Sequence, residues 1–199
     1  MRRFRLSTSV LVAVLALGAF VVPAPAKMTT TELEGKLCLV EGGGRFVDIP
    51  GFPGEMIDRR LLRDINFLER RYDIFITDGY STADYHARNG EHPIGLALDI
   101  VPMPGPEGSW KKITRLAKWA EPKQNETRDP FRWVGYDGDA NHGRGHHLHL
   151  SWSHSETKPK RPARTIYTMQ CPRQGDGKRQ QTEAPRLAPV VPERNGAGG

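Results

Sequence analysis

The chain has 199 residues, 29 of them Lys or Arg against 23 Asp or Glu, for a formal net charge of +6. That length suits a single domain with one core. The balance draws the protein toward anionic surfaces, but no nucleic-acid motif accompanies it, so nucleic acid is not an expected partner.

Arg2, Arg3 and Arg5 precede an apolar run from Leu6 to Val22, and Ala24-Pro-Ala26 follows with small residues. This is the pattern of an export signal, residues 1–26, cleaved after Ala26. No cysteine follows the run, so a lipid anchor is not indicated, and no transmembrane span is expected after processing. Cys38 and Cys171 are the two thiols, placed near the ends of the domain expected over 27–171. In an oxidising compartment they read as a disulfide tying those ends together.

From Lys27 to Pro53 the sequence is Gly-rich with short apolar pieces, which predicts loops with one short strand. Ile57 to Tyr72 predicts a helix: Ile57, Leu61, Leu62, Ile65 and Leu68 form one stripe, and Arg59, Arg60, Arg63, Glu69 and Arg70 cover the solvated face. Asp73 to Thr77 predicts a strand leading to Asp78-Gly-Tyr-Ser81. Thr82 to Glu91 predicts a polar loop. Around Asp99, Ile94, Leu96, Leu98 and Ile100 alternate with Gly95, Ala97 and Asp99, the mark of a strand with one apolar face and one small face. His92 is seven residues from Asp99, an odd separation, and Pro93 interrupts the ladder, so His92 belongs to the loop and the strand is entered through Gly95.

Ser109 caps a second predicted helix that runs through Trp119, with Ile113, Leu116 and Ala120 inward. Phe131 to Val134 predicts a strand. A Gly-rich turn, 135–145, delivers another strand, His146 to Trp152, in which Leu148, Leu150 and Trp152 alternate with His147, His149 and Ser151. Residues 172–199 are rich in Gln, Pro, Gly and charge without periodicity, which predicts a disordered tail. The fold class is α+β: a small antiparallel sheet carrying the polar cluster, with helices packed on its other face.

His142, His146, His147 and His149 fall within eight residues. Two strands that each place imidazole or carboxylate opposite an apolar face suggest a shared metal site. Two imidazoles, one carboxylate and a position left for water are the ligand set of catalytic zinc. A His-rich surface turn binding adventitious metal is the alternative.

The motif His92-x-x-Gly95-x-Ala97-x-Asp99, followed by His147-x-His149, resembles the signature of the LAS group of zinc peptidases. That group joins D-Ala-D-Ala carboxypeptidases, lysostaphin-type endopeptidases and the hedgehog-like fold. The resemblance spans roughly Tyr72 to Trp152. It implies a Zn2+ cofactor held by His92, Asp99 and His149, with His147 as the catalytic imidazole. It further implies an exported, cell-wall-associated hydrolase acting on peptidoglycan peptide, or a non-catalytic zinc-containing wall-binding domain of the same fold. The chain departs from the pattern at three positions. A catalytic Glu three residues before the last ligand is replaced by His146, which leaves His147 as the favoured base, with His146 expected to face the core. A substrate-holding Arg after Gly-Tyr is replaced by Ser81 in Gly79-Tyr80-Ser81, so either Arg88 or Arg144 takes that role, with Tyr80 lining the groove, or substrate is held differently. The Ser two residues before the first His is Gly90.

Overall fold

The computed structural model describes residues 27–34, 37–126, 129–139 and 146–173. The expected export signal, Arg144, and residues 174–199 of the expected tail lie outside the described residues. The fold is α+β, built on antiparallel sheets. Four strands form the central sheet: β5 (Ile74–Asp78), β6 (Ala97–Pro102), β7 (Phe131–Gly135) and β8 (Leu148–Trp152), in the order β5-β6-β8-β7. Their alternation sorts the side chains. Leu98, Ile100, Leu148, Leu150 and Trp152 are fully buried in the core. Helices α1 (Leu62–Tyr72) and α2 (Trp110–Ala120) supply Leu62, Ile65, Leu68, Ile113, Leu116 and Ala117 to the same core. No described helix is long and apolar enough to cross a membrane.

A three-stranded sheet, β1-β2-β9, closes one side, with β1 at Thr29–Glu32, β2 at Cys38–Glu41 and β9 at Thr165–Thr168. A hairpin joins β3 (Phe46–Asp48) to β4 (Met56–Asp58). The N-terminal segment therefore holds three strands where one was expected. The reason is physical: β1 reads Thr-Thr-Thr-Glu and is exposed throughout, so it has no apolar alternation and exists by pairing with β2. Cys38 and Cys171 are bonded, tying β2 to the segment after β9 across 133 positions.

The expected helix from Ile57 is shorter than its apolar stripe. Ile57 lies on β4, a 3-10 turn covers Arg59–Leu61, and α1 begins at Leu62. The break comes from Asp58, whose carboxylate accepts from the Arg60 N–H at 3.0 Å and so caps the turn. Arg60, expected on a solvated face, is only 1% exposed. Its guanidinium donates to both oxygens of Asp58, at 2.9 and 2.7 Å, and to the carbonyls of Ala163, Gly42 and Arg164 at 2.7, 3.2 and 3.3 Å. The planar donor fork lets one cation satisfy a carboxylate and three carbonyls without water.

A second buried acid works the same way. Asp64 on α1 accepts from Trp152 Nε1 (2.8 Å), Met169 N (2.9 Å) and Gln170 N (2.7 Å), joining helix, central sheet and C-terminal segment. Burial raises its carboxyl to about 7 even against these three donors.

Removing one partner of a desolvated ion pair strands the other. Arg60→Ala is therefore expected to lower the unfolding free energy by about 3–5 kcal/mol, read by denaturant titration. Reduction, or the paired Cys38→Ala/Cys171→Ala variant, releases a long loop and is expected to cost about 2–5 kcal/mol, seen as a lowered thermal midpoint.

Candidate metal centre

Strand register builds the site. Asp99 on β6 and His149 on β8 are direct cross-strand partners, so their side chains emerge on one face, opposite the helices. On the other side of β8, His149 pairs with Gly135 of β7, and the Trp133 ring lies 4.9 Å from its imidazole. His147 has the same parity as His149 and points into the same cleft. His92 arrives from the loop, as expected: a 3-10 turn, His92–Ile94, ends at Gly95 in the left-handed conformation (φ 68°).

Three imidazoles converge on one oxygen. Asp99 Oδ1 lies 3.0 Å from His149 Nδ1, 3.3 Å from His92 Nε2 and 3.5 Å from His147 Nε2. The His92 Nδ1–H donates to the Gly79 carbonyl at 2.6 Å. That bond orients the ring and directs Nε2 at Asp99, 3.3 Å away. This nitrogen is buried and has no hydrogen-bond partner. A buried orphan nitrogen beside a carboxylate is the feature that a metal ion would satisfy. His92, Asp99 and His149 place one donor atom each within 4.8 Å of one another, and N2O is a donor set suited to zinc.

Burial works against charge at all three groups, and their mutual contacts decide the outcome. For Asp99 the bonds and charges of His149 and His92 override burial and hold the carboxyl far below the usual range. For His92, burial is outweighed by Asp99 and the Gly79 carbonyl, and its pKa rises. For His149, burial and the neighbouring His92 win over Asp99, and its pKa falls. The metal-free site is thus anionic at Asp99, with the two ring systems pushed apart in basicity.

The cleft above the site has a volume of about 810 Å³. Its walls include Asp78, Tyr85, His86, Glu91, Trp133 and His147. Two of these groups escaped sequence reasoning. His86 Nε2 contacts Asp78 Oδ2 at 2.8 Å, Tyr85 donates to the same oxygen at 3.0 Å, and the His86 ring stacks on His92 at 3.9 Å. Asp78, His86 and His92 form a second triad of potential ligands. Because Nδ1 of His92 is committed to Gly79, both triads draw on its single free nitrogen and are alternatives for one ion. Glu91 is the other omission. Arg132 Nε holds its carboxylate at 2.8 Å and His154 Nε2 lies 3.7 Å away. Burial would raise its pKa, but His154 and Arg132 lower it. The only sequence hint was that both groups lie in or beside the loop leading to His92.

Two of the expected substrate residues, Tyr80 and Arg88, do not line the cleft. Tyr80 stacks on Phe46 at 4.2 Å and does not line the cleft, and Arg88 is exposed outside it. His146, expected to face the core, precedes β8 and is 46% exposed, with its ring 3.7 Å from Trp110. It lies outside β8, so the strand alternation does not govern its direction. Compared with known proteins, the chain matches no family model, no curated protein and no solved structure at a significant level.

Gly95 is required twice, by its positive φ and by close packing. A Cβ there would lie 2.8 Å from Phe46 ring carbons and 3.2 Å from Asp58 N. Gly95→Ala is expected to cost about 1–3 kcal/mol and to weaken zinc uptake. Gly105→Ala, also at positive φ but with nothing within 4 Å, would pay only the conformational part. Thermal melts with and without zinc distinguish the two.

Proposed function

We propose that the protein is an exported zinc metallopeptidase that hydrolyses peptide bonds of bacterial peptidoglycan, at a D-Ala-D-Ala terminus or a cross-link. The observation that carries this reading is the convergence of His92 Nε2, His149 Nδ1 and His147 Nε2 on Asp99 Oδ1 within a cleft. It agrees with the resemblance of the His92–Asp99 and His147–His149 motifs to LAS-type peptidases. In this reading residues 27–171 are the peptidase-like domain, 1–26 direct export and 172–199 are a tail. The Cys38–Cys171 bond is consistent with an oxidising, extracytoplasmic setting.

His92, Asp99 and His149 would hold the zinc. When bound, zinc supplies Lewis acidity, polarising a carbonyl and easing deprotonation of water. The chain's own residues do the rest. The Gly79 carbonyl keeps His92 Nε2 directed at the site. Cross-strand pairing keeps His149 in place. His147, within reach of the same oxygen but outside the ligand triad, accepts a proton from the attacking water and, once charged, stabilises the developing oxyanion. The cleft walls at Trp133 and His86 orient the peptide, and Glu91 adds a carboxylate fixed by Arg132.

A zinc-holding wall-binding domain without hydrolysis is the second reading. It is favoured by the placement of Tyr80 and Arg88 outside the cleft, which leaves no described Arg or Lys on its lining.

Asp99→Ala and His149→Ala are each expected to lose stoichiometric zinc, measured by elemental analysis. His147→Ala is expected to keep zinc and to lose activity about 10²–10⁴-fold, scored by mass spectrometry of new termini in purified peptidoglycan and stem peptides. No product from the zinc-loaded protein across several wall chemistries would favour the binding reading. Equal zinc loss in all three variants would remove His147 from the base role.

A further inference from the structure

Helix α2 contains no Asp or Glu in its eleven residues, against Lys111, Lys112, Arg115 and Lys118. Lys112 is neutralised by Asp73 and bonded to the Glu107 carbonyl. The other three are exposed and lie at i, i+4 and i+7, a stripe opposite the buried Ile113, Leu116, Ala117 and Ala120. Two electrostatic choices here oppose helix stability. Like charges three and four residues apart repel, and Lys111 and Lys112 set positive charge on the first turn, against the helix dipole.

The neighbouring helix extends the stripe. Arg70 and Arg71 at the end of α1 are exposed. The guanidinium of Arg71 lies 5.8 Å from the Tyr72 ring centre and that of Arg115 lies 5.5 Å from it, so cations of both helices gather on one ring. Among the described residues no carboxylate forms an ion pair with Lys111, Arg115, Lys118, Arg70 or Arg71. A solvated helix face ordinarily mixes signs; this one concentrates one sign at a cost to its own helix.

We propose that the outer face of α2, with the end of α1, is a docking surface for a linear polyanion whose charges are phosphates repeated along a flexible chain. The cations are exposed point charges spread over about 10 Å of helix, with no cavity to enclose a small anion. A membrane surface fits less well, because a helix that lies on lipid inserts its apolar face. The apolar face of α2 is buried in the core, and the large exposed apolar side chains are Tyr85, on the cleft wall, and Trp110, against His146. The start of α2 reaches the rim of the cleft, where Trp110 meets His146 of its lining. The surface does not depend on the zinc reading.

The test uses the full chain and labelled long-chain linear polyphosphate, followed by fluorescence anisotropy across a salt series. Binding is expected to fall with salt at a log–log slope of about −3. Lys111→Glu/Arg115→Glu/Lys118→Glu is expected to weaken it at least about tenfold and to flatten the slope by about 2. The neutral variant Lys111→Gln/Lys118→Gln, which removes the repulsion and the first-turn dipole conflict while keeping the Arg115–Tyr72 contact, should hold or raise the thermal midpoint; a purely structural role would lower it. Arg70→Gln/Arg71→Gln provides a second, milder loss from the other helix. Undiminished binding by both variants, or tighter binding to phosphatidylglycerol vesicles or to single-stranded oligonucleotides than to polyphosphate, would overturn the proposal.

Discussion

The buried pair of Asp58 and Arg60 is the constraint on which the other parts of the fold depend. One guanidinium closes the 3-10 turn before α1 and gathers carbonyls from the segment after β2 and from the segment leading to β9. Asp58 also reaches the metal loop through its backbone, since its N–H donates to the Gly95 carbonyl at 2.9 Å. The loop that presents His92 is thereby fastened to the most thoroughly desolvated charges in the domain. Exchange of such a pair for apolar residues can be neutral for stability, but apolar side chains could not organise three carbonyls from two other segments.

The candidate metal centre follows a different logic. Its ligands come from two rigid strands and one tethered loop, and each is aimed by a neighbour that is not itself a ligand. Gly79 orients His92, the β6–β8 register orients Asp99 and His149, and Trp133 and Gly135 shape the space around His149. Such support outside the ligand set separates a built site from a chance cluster of histidines. The single uncommitted nitrogen of His92 is shared by both candidate triads, although eight His, Asp or Glu side chains line the cleft.

The central sheet divides the molecule chemically. One face carries imidazoles, carboxylates and the cleft; the other is covered by helices whose outer surfaces are cationic.

Much of this was legible from local pattern. Alternation around Asp99 and around His149 identified both strands and the face on which their polar residues lie, because a strand's side-chain period is fixed by backbone geometry. Pro93 and Gly95 told the loop ligand from the strand ligand for the same reason. The apolar spacing of α2 sufficed to place its inner face. What local pattern could not decide was partnership. Ile57 continues the stripe of α1 by spacing, yet the register of Phe46 with Asp58 holds it in a hairpin. Arg60 looks like any surface arginine until distant carbonyls bury it. β1 has no apolar signal, and His86 and Glu91 join the cleft only because the β5–β6–β8 pairing brings their loop beside it. The sequence by itself determined the strand faces on which Asp99 and His149 lie, since those follow from short-range stereochemistry. The tertiary structure alone decided which side chains meet, because hydrogen-bond register and burial link positions far apart in the chain.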